Sequence, residues 1–394
     1  MASAETIAIV KATVPVLKVH GNEITKVFYR RLFKYNPELK NIFNMTHQAK
    51  GTQPKVLANA IFQYASHIDQ LEMLKGAVAT MAQKHTSLSI TPAMYPIVGK
   101  HLLEAIQEVL GEAATPEIIA AWAEAYGDLA EIMIGAEEEI YVERVEQEGG
   151  FRGQKEFVVL KKEEESAVIT SFYLKPKDGT AVPSFLPGQY IALTVTIPGT
   201  THKHTRNYSL SDAPNGKYWR ISVKREGIVS EYLHQEVEAG AVLSLSMPSG
   251  EFVLEETNKP IVFLAGGVGI TPLMSMYKTL KTKQPAVFVQ CMLNSGTHAF
   301  RKEIASNDEV QSIVVYSQPL EQDKLGVDYD YKGYLNATLL EALLPTRDAE
   351  IYCCGPKAFM GLAFNLIEQL EIPEEQFHYE FFGPTELLKE ELSV

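Results

Sequence analysis

The stretch Gln83-Lys84-His85-Thr86-Ser87, with Thr91-Pro92-Ala93-Met94-Tyr95 just beyond it, decides how the first third of this chain folds. His85 is one of ten histidines, so its residue type alone assigns it nothing. Its surroundings carry more. A threonine followed by proline opens a helix, because the hydroxyl caps free N–H groups and proline needs no N–H in the first turn. Thr91-Pro92 therefore predicts a helix with the inward stripe Tyr95, Val98, Leu102, Ile106 and Val109. Thr115-Pro116-Glu117 predicts another, with the stripe Trp122, Tyr126, Leu129, Met133 and Glu137. The second stripe ends on a carboxylate. Either Glu137 turns inward, where it needs a hydrogen-bonding partner, or it is solvated like Glu138 and Glu139.

Working outward, 394 residues suit two or three domains, each able to bury its own core. A hydrophobic content of 46% with 22% charged residues is globular composition, and no apolar run reaches the roughly eighteen residues of a membrane span. No integral membrane segment is expected. The first residues lack the basic and apolar regions of a leader, and three cysteines (Cys291, Cys353, Cys354) make no disulfide framework, so a cytoplasmic setting is expected. A net charge of −13 argues against nucleic acid as a partner.

The rest of the first 148 residues is also punctuated for helices. Ser3 is expected to cap one bearing Ile7, Val10, Val14 and Leu17 and ended by Gly21. Asn22 would cap a second, bearing Ile24, Phe28 and Leu32 and stopped at Asn36-Pro37. The helices opening at Thr91 and Thr115 are expected to be the two longest. Gln53 and Leu57 lie one turn apart after a cap at Thr52, and Tyr29, next to Phe28, can turn its hydroxyl into the same space.

Tyr29, Phe43, Gln53, Leu57, Lys84-His85, Tyr95 and Glu137 follow one another in an order and spacing that resembles the globin domain of the flavohaemoglobins. The resemblance implies haem b with His85 as the iron ligand, Phe43 on the porphyrin face, and Tyr29, Gln53 and Leu57 on the opposite, distal side. Lys84 would stand by the exposed haem edge. Tyr95 and Glu137 would accept the imidazole's other N–H and so increase electron donation to iron. His47 is a second candidate ligand, disfavoured by its place in a loop.

After Gly149-Gly150 the period changes. Residues 157–160, 167–174, 190–197 and 219–223 read as strands, separated by Lys177-Asp178-Gly179, Pro187-Gly188 and Pro214-Asn215-Gly216 turns. Several short strands within residues 149–258 predict an antiparallel β-barrel. In Arg206-Asn207-Tyr208-Ser209, Arg206 and Tyr208 share a strand face, setting a cation for pyrophosphate beside an aromatic plate. Gly227 and Ser230 mark the start of a short helix, whose N-terminus can hold phosphate. Together with Pro187-Gly188-Gln189-Tyr190, these motifs resemble the FAD-binding barrel of the ferredoxin reductase family. The resemblance implies that Tyr190, Arg206, Asn207, Tyr208, Ser209, Val229 and Ser230 contact FAD. His202 and His204 flank a lysine with no third ligand nearby and read as loop.

Residues 259–394 read as an α/β domain with a parallel sheet. A buried strand over 261–265 runs into Gly266-Gly267-Val268-Gly269-Ile270-Thr271-Pro272, and a helix opens at Leu273. Strand, glycine turn and helix N-terminus make a site for pyrophosphate. Further strands over 286–293, 313–317 and 350–354 alternate with helical stretches, the last ending in Cys354-Gly355-Pro356. Both glycine turns belong at the carboxyl ends of their strands, where ligands bind. Gly267-x-Gly269 followed by Pro272, with Cys-Gly-Pro, again resembles the ferredoxin reductase family and implies that residues Gly267, Val268, Gly269, Ile270, Thr271, Pro272, Cys354, Gly355 and Pro356 hold NADH or NADPH. Cys291-Met292-Leu293-Asn294-Ser295 offers no acid for a ribose 2′-hydroxyl, which leaves the choice of dinucleotide open. Cys354 as a nucleophile is disfavoured by the absence of an adjacent histidine. The run His378-Tyr379-Glu380-Phe381-Phe382-Gly383-Pro384 reads as a final strand, and the resemblance sets Phe382 or Phe381 against the flavin with Glu380 near the hydride path.

The expected protein is multidomain: an all-α globin over 1–148, an antiparallel β-barrel FAD domain over 149–258 and an α/β parallel-sheet NAD(P)-binding domain over 259–394. A nicotinamide gives two electrons and haem iron takes one at a time, so a flavin between them performs the conversion. Resemblance to flavohaemoglobins implies a monomeric nitric oxide dioxygenase acting on nitric oxide and dioxygen. The rival readings are an oxygen sensor or carrier with an attached reductase, and a flavin reductase whose helical domain docks a protein.

Overall fold

A computed structural model describes residues 2–43, 45, 52–280, 284–306 and 310–383. His47 and Pro384 lie outside the described residues. The chain divides into two compact units: residues 1–155 with 192–206 and 245–249, and the remainder. Among the described residues no helix is long and apolar enough to cross a membrane.

In the first unit, α1 (Ala4–Ala12) begins at Ser3, whose hydroxyl accepts from the Thr6 N–H at 3.1 Å. It stops at Thr13, since Pro15 has no N–H to continue the ladder. α2 (Val14–Tyr35) then runs unbroken through Gly21 and Asn22, which neither end nor cap a helix. Gly21 is buried where α3 (Thr52–Ser66) crosses: a Cβ on it would meet the Ala58 Cβ at 3.6 Å, an ordinary contact. Thr52 is already inside α3. At 22 residues α2 outruns α5 (Tyr95–Leu110, 16 residues), so the helices opening at Thr91 and Thr115 are not the two longest. α4 (Lys75–Ser87) precedes α5. Pro92–Met94 forms a 3-10 turn without a threonine cap bond, which puts Tyr95 at the head of α5. α6 (Pro116–Glu146) spans 31 residues, with the Thr115 hydroxyl accepting from the Ile118 N–H. Leu17, Ile24, Phe28, Leu32, Ile106 and Trp122 build the core.

The strand-rich region holds β1 (Gln154–Ser166), β2 (Ile169–Pro176), β3 (Tyr190–Val195), β4 (His204–Ser209), β5 (Trp219–Lys224) and β6 (Val242–Ser246), ordered β4-β3-β6-β1-β2-β5. Leu210, just past β4, bridges Ile221 of β5 and closes the antiparallel sheet. β1 is far longer than its apolar stretch suggests. Its charged end, Lys161 to Ser166, pairs with β2 as a hairpin, where the solvated face conceals the strand period. β6 has no counterpart among the expected strands, because its alternating leucine and serine is a weak signal. α7 (Ile228–Glu236) follows β5.

The last region is a six-stranded parallel sheet, β10-β9-β8-β7-β11-β12. Its strands are β7 (Ile261–Gly266), β8 (Ala286–Met292), β9 (Gln311–Tyr316), the unanticipated β10 (Tyr331–Lys332), β11 (Glu350–Cys354) and β12 (Phe377–Glu380). Its helices are α8 (Ile270–Tyr277), α9 (Arg301–Ala305), α10 (Ala337–Leu343) and α11 (Lys357–Gln369). α8 starts at Ile270, three residues before the expected Leu273, because Gly267–Gly269 winds as a 3-10 turn directly into it. β12 ends at Glu380, so Phe381 and Phe382 lie beyond the strand; Gly383 N–H donates back to the Phe381 carbonyl in a tight turn.

Candidate functional site

His85 sits in the last turn of α4, which Thr86 and Ser87 pin by donating to the Ala82 and Lys84 carbonyls at 2.9 and 2.7 Å. Its Nδ1 lies 2.7 Å from Glu137 Oε1 and 3.2 Å from the Tyr95 hydroxyl. Tyr95 in turn donates to the same carboxylate oxygen. Glu137 is only 2% exposed, so of the two sequence alternatives it takes the inward one. A carboxylate accepts from Nδ1–H, and that tautomer leaves the Nε2 lone pair free. Nε2 has no hydrogen-bond partner among the described residues. The donor set therefore fits a metal-held group: an imidazole anchored from behind with its other nitrogen open. Burial, then the Glu137 hydrogen bond, push the Tyr95 hydroxyl far above its ordinary pKa, so it stays protonated.

Tyr126, read in sequence only as part of an apolar stripe, and two groups outside the sequence reading, Tyr141 and Arg144, hold this arrangement. The Tyr126 hydroxyl donates to the Tyr95 carbonyl at 2.7 Å, and Tyr141 donates to the Ile90 carbonyl at 3.0 Å. Arg144, 6% exposed, donates to Gln83 Oε1 at 2.8 Å and to Ser249 Oγ at 2.9 Å. In sequence Arg144 is one cation in an acidic run and carries no signal. Lys84 is exposed.

Of the distal candidates, Tyr29 is 7% exposed and meets the Phe43 ring edge-on at 5.8 Å, with Phe33 stacked on it at the same distance. Gln53 and Leu57 lie one turn apart on α3, which the Thr25 hydroxyl ties to α2 through the Pro54 carbonyl at 2.9 Å. Gln53 Oε1 is buried without a partner among the described residues, a polar atom that a bound group would satisfy.

On β4, Arg206 and Tyr208 are half-buried, and Asn207, of opposite pleat, is exposed. Arg206 Nη1 donates to the Thr205 carbonyl at 2.8 Å. The Ser209 Oγ is buried and has no partner among the described residues, a polar atom that the edge of a flat ring would satisfy. Gly250 has φ +112°, and a Cβ there would come within 3.0 Å of the Tyr190 ring, which lies against the glycine. The Ser230 hydroxyl is committed to the α7 cap, accepting from Gly227 and Glu226 N–H at 2.8 and 2.9 Å. Ser230 thus keeps only backbone to offer, and Val229 is buried beside it. His204 begins β4 rather than a loop, its Nε2 buried and unpartnered, and burial lowers its pKa.

The two glycine turns of the parallel sheet lie side by side. A Cβ on Gly269 would sit 2.2 Å from the Cys354 carbonyl oxygen, and one on Gly355 would sit 3.1 Å from Gly266 Cα. Gly267 has φ +52°, a left-handed turn that favours glycine. Gly267 and Val268 are half-exposed, while Ile270, Thr271 and Pro272 are buried and the Thr271 hydroxyl donates to the Val268 carbonyl. Cys354 is fully buried, and burial raises its thiol well above the ordinary range, which disfavours the thiolate a nucleophile needs. Glu380 pairs with Cys354 in register; its Oε2 is buried and unpartnered among the described residues, and burial raises its carboxyl to about 8. Phe381 packs on the core beside α11, and Phe382 is 47% exposed. Beyond β8, Asp323 accepts from the Ser295 hydroxyl at 2.5 Å.

An imidazole backed by a carboxylate, a closed barrel with an orphaned serine, and a parallel sheet with paired glycine turns are the parts of a one-chain electron-transfer haemoprotein. Comparison with known proteins gives that class its family. The globin family model matches residues 26–133, that of the oxidoreductase FAD-binding domain 156–254, and that of the oxidoreductase NAD-binding domain 263–364. A flavohemoprotein of Halalkalibacterium halodurans is 48% identical over 398 residues, covering 97% of each chain. The crystal structure of flavohemoglobin from Malassezia yamatoensis, with bound FAD and heme, is similar at a TM-score of 0.85 and 26% identity, over 97% of this chain and 99% of that one. The FAD/NAD-binding domain of nitric oxide dioxygenase from Vibrio cholerae has a TM-score of 0.54 at 36% identity, over 58% of this chain and 99% of that one. The chain belongs to the flavohemoproteins, oxidoreductases that join a globin to FAD- and NAD-binding domains. Its cofactors are haem, FAD and a nicotinamide dinucleotide.

Proposed function

We propose that this flavohemoprotein is a nitric oxide dioxygenase, with two nitric oxide and two dioxygen molecules giving two nitrates, one proton and NAD(P)+ for each NAD(P)H consumed. The observation that carries the reading is the 2.7 Å contact between His85 Nδ1 and Glu137 Oε1. An imidazole with a carboxylate behind it approaches imidazolate character, which favours oxygen activation over reversible oxygen carriage. When bound, haem supplies a dioxygen-binding iron, FAD the conversion of a two-electron donor into single electrons, and the nicotinamide a hydride.

The chain's own residues do the rest. His85 would hold the iron through Nε2, and Tyr95 with Glu137 would keep the Nδ1 proton in place. Tyr29 and Gln53 would donate hydrogen bonds to the dioxygen on the distal side, stabilising the charge that develops on it. Phe43 and Leu57 would exclude water there. Arg206, Tyr208 and Ser209 would orient FAD, the paired glycine turns would seat the dinucleotide, and Glu380 would hold a proton near the hydride path. The reading divides the chain near residues 148 and 258 and sets it to work as a cytoplasmic monomer. Kinship with the nitric oxide dioxygenase of Vibrio cholerae, through its FAD/NAD-binding domain, supports the reaction. Rapid mixing of the NADH-reduced, air-equilibrated protein with nitric oxide tests it: nitrate in proportion to haem is expected, and failure of nitrate to form would overturn it.

A further inference from the structure

Arg220 projects from β5 and is 3% exposed, yet carries a full charge. Its Nη1 donates to Glu303 Oε2 on α9 at 3.0 Å, and its Nε stands 3.9 Å from Asp212 Oδ2. Lys278, just past α8, closes the ring by pairing with both Asp212 and Glu303. The result is a square of alternating charge: Arg220 and Asp212 from the barrel, Lys278 and Glu303 from the dinucleotide sheet's helices. A fifth link is neutral, the buried Ser275 hydroxyl of α8 donating to the Asp212 carbonyl at 2.8 Å. Phe300, in the left-handed region at φ +60°, places its ring 4.9 Å from the guanidinium. Burial opposes the charge on Arg220, but the Asp212 and Glu303 carboxylates outweigh it and raise its pKa.

The placement of these residues gives the square its meaning. Asp212 follows Ser209, the end of the flavin strand, by three residues, and α8 opens directly from the Gly267–Gly269 turn. Whatever holds α8 against Asp212 therefore holds the nicotinamide loop against the flavin motif. Buried ion pairs contribute little net stability over apolar packing, but they specify register sharply, because a slide of one residue strands a charge out of water. We propose that Arg220, Asp212, Lys278 and Glu303 form a charged latch that fixes the nicotinamide turn against the flavin strand, making them positioning residues for hydride delivery. This rests on the reading above that the dinucleotide reduces FAD: a hydride leaves NADH, FAD takes it up with a proton from solvent, and NAD+ departs.

Glu303→Gln and Lys278→Met test the latch at side chains 31% and 28% exposed, where folding tolerates a change better than at Arg220. Three quantities are measured on the full, FAD-loaded chain: the limiting rate of anaerobic flavin reduction by NADH in stopped flow, the equilibrium dissociation constant for NAD+, and amide exchange across residues 270–278. The latch requires the limiting rate to fall by roughly tenfold or more, as a displacement of about an ångström produces. The dissociation constant should hold, exchange in α8 should rise, and Glu303→Asp should recover part of the rate. An unchanged limiting rate, or a rate loss that only follows loss of FAD, would overturn the proposal. If NADH fails to bleach the flavin of the unsubstituted chain, the hydride reading itself falls and takes the latch's role with it.

Discussion

His85 and Glu137, 52 residues apart in the chain, meet at 2.7 Å through Nδ1 and Oε1. The contact joins the end of α4 to α6 and leaves the second carboxylate oxygen buried and unpartnered among the described residues. A carboxylate so placed is shared between two donors, His85 and Tyr95, through one oxygen.

Glu137→Gln keeps the shape and an acceptor but removes the charge. The haem reduction potential is expected to rise, and haem affinity or turnover to fall by about ten- to a hundredfold. Spectroelectrochemical titration against the unsubstituted protein measures the potential, and an unchanged value would leave the carboxylate with no electronic role.

Gly99→Ala would place a Cβ 2.4 Å from the Tyr126 ring, whose hydroxyl is tied to the Tyr95 carbonyl. Alanine's gain in helix propensity is about 1 kcal/mol, against an overpacking cost of about 1–3 kcal/mol where the ring is tethered by its hydroxyl. A lower melting temperature is expected, together with a shifted haem absorption maximum, since Tyr95 must move with Tyr126.

These residues also mark how far the sequence was legible. Caps at Ser3 and Thr115, the glycine turn at Gly267 and the apolar strands read directly, because each signal is local. Glu137 was legible only as one of two alternatives, its direction being set by helical phase across a helix of 31 residues. Gly21 misled, because a glycine inside a helix, buried under a crossing one, and a glycine that ends a helix look alike in one dimension. The hairpin end of β1 was hidden by its charged, solvated face. The Arg220 latch could not be read at all: its four members span residues 212–303 and have no common motif.

Glu380 gives a pH dependence. Its folded carboxyl is raised to about 8 by burial, above the ordinary value of about 4.3. The folded state therefore keeps a proton that the unfolded state releases. Stability from this group is full below about pH 4.3 and is lost as pH rises through 8. Denaturant titrations of the apo-protein at steps between pH 5 and 8.5 should show unfolding free energy falling with pH, and Glu380→Gln should flatten that slope.

His85→Ala is expected to abolish retention of haem while FAD stays bound and is still reduced by NADH. Cofactor content after gel filtration, with flavin bleaching under nitrogen, checks both halves. Loss of both cofactors together would contradict separable haem and flavin sites.

The central claim is a single line of electron flow from nicotinamide through flavin to a His85-held haem. It is tested most directly by the visible spectrum of the protein, taken under nitrogen before and after NADH is added. The expected result is a ferric haem band and flavin shoulder at first, then flavin bleaching accompanied by conversion of the haem to its ferrous spectrum. Flavin bleaching with the haem left ferric, or no haem band at all, would contradict it.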